Sequence, residues 1–196
     1  IFATNTSGLS INALAEAFPA ASRSRFCGVH FFNPPRYMQL VELIPCAGTD
    51  GALLDNLESF LTTTLGKGVV RALDTPNFVA NRVGVFSILA VMHHTQRLGL
   101  GFDAVDALTG PLIGRPKSAT YRTADVVGLD TMAHVIQTMT DTLADDPWHA
   151  FYASPAWLTA LIAKGALGQK TRAGIFTKKG KDILVLDLKA KDYRPS

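Results

Sequence analysis

Residues 28–42, GVHFFNPPRYMQLVE, decide how the first part of this chain folds. Residues 26–32 and 38–44 are rich in aromatic or branched side chains, and the Asn-Pro-Pro-Arg sequence between them breaks any continuous pattern. The pattern predicts two antiparallel strands joined by a turn. In that pairing His30 and Glu42 lie opposite one another, at the distance where cross-strand side chains touch.

A histidine held by a carboxylate is a candidate general base. Glu42 would fix the tautomer of the His30 imidazole and stabilise its charged form, which suits a base that works near neutral pH. The alternative is a core histidine with satisfied hydrogen bonds and a surface carboxylate at a strand end, which is the more frequent case for an isolated pair. The residues around the pair have to decide between the two.

Composition indicates an ordinary globular protein. The chain has 196 residues and a net charge of +3, and its scattered Lys and Arg residues give no indication of nucleic-acid binding. The longest apolar runs are interrupted and too short to span a membrane. Cys27 and Cys46 form no metal-binding spacing, so we expect no metal site and read both as reduced residues of a cytoplasmic protein, although sequence does not exclude a bridge.

The first 75 residues have the pattern of an α/β sheet. A short apolar strand at residues 1–4 ends in the polar turn Asn5-Thr6-Ser7-Gly8, and Ser10 then caps a short helix. A longer helix with a clean leucine stripe begins at Thr49 or Asp50. Because ligands collect at the C-terminal ends of such strands, we expect Asn5 and Ser7 to face one.

From Phe78 onward the pattern is mostly helical. A long amphipathic helix ends near Gly99, and Asp103 is predicted to cap the next helix. The C-terminal residues change to a loop and a hairpin that pairs residues 175–178 with 183–188. The sequence therefore predicts an α/β remnant joined to a mainly helical unit with a short C-terminal hairpin.

Six sequence words, spread over nearly the whole chain and in the same order, resemble the L-3-hydroxyacyl-CoA dehydrogenases. They are ATNTSGLSI, GVHFFNPPRYMQLVEL, LGK, DTPNFVANR, RPKSATYRTADVVGLDT and LGQKTRAGIF. Members of this family oxidise 3-hydroxyacyl-CoA with NAD in fatty-acid beta-oxidation. The RPKSAT and VGLD words and the KDYRPS tail look more like the long multifunctional versions of the enzyme.

The resemblance implies a domain organisation and a cofactor. Residues 1–75 would be the C-terminal part of the NAD-binding Rossmann-type domain, and residues 76–196 the helical C-terminal domain. No G-x-G-x-x-G sequence occurs in the chain, although that glycine-rich turn is what holds a dinucleotide. We therefore expect the main NAD-binding motif to lie upstream of Ile1, and the 196 residues alone to be inactive.

The resemblance also implies roles for single residues. His30 is similar to the catalytic base of the family and Glu42 to the carboxylate that pairs with it. Ser7 resembles the serine that hydrogen-bonds the substrate oxygen, and Asn81 the asparagine that orients substrate and histidine. Asn5 looks like the residue that lies against the nicotinamide end of NAD.

Other readings of these residues stay open. Ser7 would otherwise be a turn residue, and an isolated helical asparagine such as Asn81 is more often a surface residue. Lys170 and Arg172 are candidates to bind CoA phosphates. The alternative is that they are solvated loop charges. Gly8 departs from the family, in which many members have a second serine.

Two further functions compete with this reading. One is a helical dimerisation or docking module without chemistry, and the other is a related hydroxyacid dehydrogenase that does not use CoA. The apolar helices after Phe78 predict a homodimer, or packing on other domains of a longer polypeptide.

Overall fold

The computed structural model describes all residues from Ile1 to Ser196, which form two compact units, Ile1–Val83 and Gly84–Ser196. The first unit is a mixed α/β structure, and the second is mainly helical with an antiparallel sheet at its C-terminus. The predicted fold class is confirmed. The predicted domain boundary between residues 75 and 76 stays a prediction.

The first unit contains four strands and two helices: β1 (Phe2–Thr4), α1 (Ile11–Ala15), β2 (Phe26–Phe31), β3 (Leu40–Pro45), α2 (Gly51–Thr63) and β4 (Gly68–Arg71). The sheet order is β1-β2-β3-β4, with β2 and β3 antiparallel and the two outer pairs parallel. Ser10 and Asp50 cap the two helices through side-chain oxygens that accept backbone N–H groups, as the sequence predicted.

The central strands β2 and β3 are buried on both faces. Phe26 and Ile44 pack with Ile11 of α1, whereas their neighbours Cys27 and Leu43 pack with residues of α2 on the opposite face. Successive strand residues point to opposite faces of a sheet, so each strand supplies both cores.

The same alternation puts His30 and Glu42 on the face that α1 covers. Gly28 precedes His30 on that face, and a Cβ atom at Gly28 would lie 2.9 Å from Cδ1 of Ile11. Only glycine lets α1 pack this closely on β2. The two predicted site residues therefore lie on a face of the sheet that α1 covers closely.

Helix α3 (Ala80–Leu98) begins in the first unit and continues into the second. The second unit also contains α4 (Phe102–Thr109), α5 (Tyr121–Val127), α6 (Leu129–Thr142), α7 (Ala156–Ala163), β5 (Phe176–Lys179), β6 (Asp182–Asp187) and β7 (Asp192–Pro195). Its core includes the rings of Phe102, Tyr121 and Trp157. No helix has the length and hydropathy that crossing a bilayer requires.

Two details of the second unit differ from the prediction. Gly101, not Asp103, occupies the N-cap of α4, and the Asp103 carboxylate instead binds Arg194 at 2.8 and 2.9 Å. The predicted hairpin is also extended by β7, which pairs antiparallel with β6. Tyr193 of β7 donates to the Gly174 carbonyl oxygen. Side-chain bonds thus hold a polar tail that lacks the apolar alternation of a strand.

Candidate active site

His30 and Glu42 form a buried hydrogen-bonded pair. They are directly opposite in the β2–β3 ladder, and His30 Nδ1 lies 2.7 Å from Glu42 Oε2. The two residues are 4% and 0% exposed. The predicted antiparallel pairing is confirmed. Because an ionised carboxylate only accepts hydrogen bonds, Nδ1 carries the proton, and Nε2 of the neutral ring has a lone pair that can accept a hydrogen bond or a proton.

The second carboxylate oxygen of Glu42 binds the turn into α3. Its Oε1 accepts hydrogen bonds from the backbone N–H groups of Val79 and Ala80 at 2.9 and 2.8 Å. Burial by itself would raise the pKa of Glu42, but the hydrogen bonds from His30, Ala80 and Val79 outweigh it and lower that pKa. Glu42 therefore stays ionised beside the imidazole at neutral pH.

Ser7 occupies the other side of the imidazole. Its Oγ lies 3.0 Å from His30 Nε2, to which it donates when the ring is neutral. Asn81, in the first turn of α3, donates from Nδ2 to the carbonyl oxygen and the hydroxyl of Ser7 at 3.0 and 3.2 Å. The four residues Glu42, His30, Ser7 and Asn81 form one continuous chain of hydrogen bonds.

Aromatic rings surround the histidine. The ring centroids of Phe32 and Phe78 lie 4.5 and 5.7 Å from that of His30. Ser7, by contrast, is exposed, so the hydrogen-bonded chain runs from a buried carboxylate to a hydroxyl that solvent reaches. This arrangement allows a proton to pass between a bound molecule and a shielded imidazole.

Asn5 lies at the same edge of the sheet. It follows β1, and its Oδ1 accepts a hydrogen bond from Phe31 N at the end of β2, at 2.8 Å. Because β1 and β2 are parallel, their C-terminal ends, which carry Asn5, Ser7 and His30, meet at one edge. That edge is where α/β sheets bind ligands.

Sequence reasoning missed Asp74, which supports the Ser7 segment. Its carboxylate accepts hydrogen bonds from the Ser10 hydroxyl, the Ile11 and Asn12 backbone N–H groups and the Asn12 side chain, all at 2.7 to 2.8 Å. Burial opposes ionisation, yet these bonds lower the pKa of Asp74. A carboxylate more than 60 residues along the chain from its partners leaves no periodic pattern that would reveal it.

The two basic loop residues have different surroundings. Lys170 Nζ lies 2.6 Å from Asp130 Oδ1, so this ammonium group is already paired. Arg172 lines an open cavity of about 680 Å³ in the second unit, together with Arg122 and Lys178. No group of three or more His, Cys, Asp or Glu side chains is arranged to hold a metal ion.

Both parts of the chain match known family models. Residues 1–75 match the model described as 3-hydroxyacyl-CoA dehydrogenase, NAD binding domain, and residues 78–178 match that described as 3-hydroxyacyl-CoA dehydrogenase, C-terminal domain. These are the two domain types that the sequence resemblance implied, in the same order.

Similar proteins carry related names. A Bacillus subtilis protein named "Probable 3-hydroxyacyl-CoA dehydrogenase" is 45% identical over 187 residues, which are 95% of this chain and 24% of that protein. A Rickettsia felis protein, named as a fatty acid oxidation complex trifunctional enzyme, is 37% identical over 90% of this chain and 25% of its own length. The chain thus spans about a quarter of these relatives. The predicted likeness to multifunctional versions is confirmed.

A solved structure agrees with the fold. The crystal structure of (S)-3-hydroxybutyryl-CoA dehydrogenase from Ralstonia eutropha superposes with a TM-score of 0.79 at 31% sequence identity, covering 91% of this chain and 60% of that one.

Proposed function

Because this chain belongs to the 3-hydroxyacyl-CoA dehydrogenase family, we propose that it carries the acid–base residues of an enzyme that oxidises a 3-hydroxyacyl-CoA to the 3-ketoacyl-CoA with NAD. The reaction would serve fatty-acid beta-oxidation. The observation that carries the proposal is the chain of hydrogen bonds from Glu42 through His30 to Ser7. A docking module without chemistry has no need of a buried imidazole whose two nitrogens are both engaged in this way.

His30 is the base of the proposed reaction. Its Nε2 takes the proton of the 3-hydroxyl group while the C3–H bond breaks, and the resulting imidazolium is stabilised by Glu42 at 2.7 Å. The backbone N–H groups that bind the other oxygen of Glu42 fix the carboxylate and keep it charged. In the reverse reaction the charged His30 returns the proton to the substrate oxygen.

Ser7 and Asn81 orient the substrate. The Ser7 hydroxyl already lies at hydrogen-bond distance from Nε2, so a substrate hydroxyl that binds beside it would reach both groups. Asn81 holds Ser7 through two hydrogen bonds, and its position at the start of α3 is fixed by the helix. Holding reacting groups in place in this way contributes substantially to rate.

NAD, when bound, accepts the hydride that leaves C3. The residues present fit the nicotinamide end of that cofactor, because Asn5, Ser7 and His30 lie at the joint C-terminal edge of β1 and β2, where α/β sheets bind such groups. We assign Asn5 to this end of the cofactor. Its hydrogen bond to Phe31 N keeps the edge next to His30 in place.

The direct test is NADH formation by the natural full-length protein with two substrates, 3-hydroxybutyryl-CoA and free 3-hydroxybutyrate. We expect oxidation of the thioester and none of the free acid. Equal rates with the free acid would favour a hydroxyacid dehydrogenase that does not use CoA. Absence of NADH with both substrates, from protein that is folded, would contradict the proposed enzyme and favour a docking module.

We also propose that the second unit pairs with a second copy of itself. Four apolar side chains of the second unit are about half exposed or more, and such exposure is typical of a contact surface. They are Leu112 (77%), Ile113 (58%), Val126 (55%) and Val127 (49%). Sedimentation velocity over a concentration series should show a dimer that Leu112→Asp weakens. Leu73→Asp, at an equally exposed leucine in the first unit, is the control. A monomer at high micromolar concentration would contradict pairing.

A cytoplasmic location is part of the proposal. Cys27 and Cys46 are both buried and free, which is usual for proteins of a reducing compartment. Burial, with a smaller contribution from Cys46, raises the pKa of Cys27 to about 11, so its thiol stays protonated and unreactive. Fractionation of cells with an antibody to the protein would test this location.

A further inference from the structure

The turn that leads into α3 touches every member of the hydrogen-bonded chain. The Phe78 ring lies beside the His30 ring, with centroids 5.7 Å apart. The backbone N–H groups of Val79 and Ala80 donate to Glu42, and Asn81 donates to Ser7. The first residue of this turn, Asn77, takes no direct part in the proposed reaction. Its surroundings nevertheless indicate a function.

Asn77 has two features that destabilise a folded chain. Its φ angle is 61° and that of the following Phe78 is 52°, both in the left-handed region that residues other than glycine rarely adopt. Its side chain is 2% exposed, and Nδ2 has no hydrogen-bond partner. A glycine here would avoid both costs. Strain of this kind is concentrated at functional sites.

The Asn77 side chain lies next to Gly8. A Cβ atom at Gly8 would lie 3.2 Å from Asn77 Oδ1, and no other atom outside the neighbouring residues would come within 4 Å of it. The φ angle of Gly8 is outside the left-handed region, so its backbone accepts any residue. A side chain at position 8 would therefore press on Asn77, and one of the two residues would have to move by a few tenths of an ångström.

We propose that Asn77 is a positioning residue. Its side chain packs against the Ser7–Gly8 backbone and so keeps the Ser7 hydroxyl at hydrogen-bond distance from His30 Nε2. The inference rests on the proposed function, in which that hydroxyl and Nε2 share the substrate oxygen. Gly8 follows Ser7 directly, so any displacement of Gly8 moves the hydroxyl that lies 3.0 Å from Nε2. Asn77 itself touches neither substrate nor cofactor in this account.

Three variants of the full-length protein test the contact: Gly8→Ala, Asn77→Gly and the double variant. Gly8→Ala should lower kcat about tenfold with little change in KM for NAD. The added Cβ atom would have to move by a few tenths of an ångström to relieve its contact with Asn77, and a misplacement of 1 Å costs about a hundredfold in rate. Asn77→Gly should also lower kcat, without lowering the melting temperature. The double variant should lose no more activity than Asn77→Gly alone, since the side chain that obstructs a methyl group at position 8 is gone.

The outcomes separate this inference from the proposed function. If the wild-type protein oxidises 3-hydroxybutyryl-CoA but both single variants keep kcat within about twofold, the positioning role is overturned and the enzyme stands. A double variant in which the losses of the two single variants multiply would also overturn it, because Gly8 and Asn77 would then act independently. A wild-type protein without activity would overturn both. Should Gly8→Ala not fold, Asn77→Gly alone decides, since a purely structural role predicts unchanged kcat.

Discussion

Each unit of this protein buries carboxylates that accept hydrogen bonds from backbone N–H groups of a distant segment, yet only Glu42 among them also binds a histidine. In the first unit Glu42 binds the turn into α3. In the second, Asp106 accepts from three consecutive N–H groups at the start of α5, and Asp125 accepts from those of Ile175 and Phe176. All three carboxylates are at most 7% exposed.

The carboxylates differ in what else they touch. Burial raises the pKa of Asp106 and of Asp125, and the backbone hydrogen bonds offset only part of this effect. The pKa of Glu42 is lowered, because an imidazole adds a further hydrogen bond and a favourable charge to the two backbone bonds. Backbone donors, with Arg122 Nε 4.0 Å from Asp106, hold the two carboxylates of the second unit as structural ties. The addition of His30, and of a hydroxyl beyond it, gives the arrangement that we propose as an acid–base site.

The largest expected effect separates the site from the ties. His30→Gln should lower kcat by about 10² to 10⁴ while NAD still binds, because a general base contributes that much to rate. The matched control is His134→Gln, an exposed histidine on α6 that should leave kcat unchanged. Steady-state kinetics with 3-hydroxybutyryl-CoA gives the comparison, and turnover near the wild-type value would remove His30 from its proposed role.

Glu42→Gln should reduce kcat by no more than the loss of His30, at most about 10⁴-fold, because Glu42 acts through that base. The glutamine oxygen can still accept from Val79 or Ala80, but a neutral amide no longer stabilises an imidazolium. Asp106→Asn is the matched change in the second unit and should leave kcat close to wild type. Equal losses in the two variants would mean that Glu42 is a structural tie like Asp106.

Asp125→Ala should affect stability. It leaves the N–H groups of Ile175 and Phe176 buried without an acceptor, at about 1 to 3 kcal/mol for each unsatisfied group. Hydrogen exchange of the peptide that contains these two amides should therefore be faster by the equivalent of about 3 kcal/mol. Asp145→Ala, an exposed carboxylate of the same unit, should stay within about 0.5 kcal/mol of wild type. Unchanged exchange in Asp125→Ala would show that its backbone bonds contribute little.

The sequence allowed prediction of the part of the site that depends on local geometry. His30 and Glu42 are 12 residues apart across one turn, so strand alternation was enough to put them opposite each other. Ser7 and Asn81 lie 23 and 74 residues from the atoms they bind, and their roles came only from the family resemblance. Periodicity describes what a strand or helix does over a few residues and carries no information on which loops meet.

The missed residues share one property, which is that backbone atoms or unoccupied space are among their partners. Asp74 and Asp125 look like loop and helix-surface carboxylates in the sequence, because a backbone N–H acceptor needs no particular partner residue. Asn77 is defined by a φ angle and by the missing side chain of Gly8. Asp103 was predicted as a helix cap for the ordinary local reason, and an arginine 91 residues later overrode it.

The smallest expected effect is on the pH dependence of stability, which should have opposite signs at Glu42 and at Asp125. Glu42 has a folded-state pKa below its ordinary 4.5, so the stability it adds is fully present above that pH and is lost as the pH falls through the folded pKa. Asp125 has a folded-state pKa above its ordinary 3.8, so the folded state binds the proton more tightly and the unit is favoured as the pH falls towards 3.8. Relative to Glu42→Gln, the wild-type protein should therefore lose protection of the Val79 and Ala80 amides as the pH falls below about 4.5. Relative to Asp125→Asn, it should gain protection of the Ile175 and Phe176 amides as the pH falls towards 3.8. Hydrogen exchange of the two peptides, each divided by its variant to remove the intrinsic pH dependence, measures both slopes in one experiment. Slopes of the same sign would mean that the carboxylates of the two units are ionised alike, and that His30 does not distinguish the site from a tie.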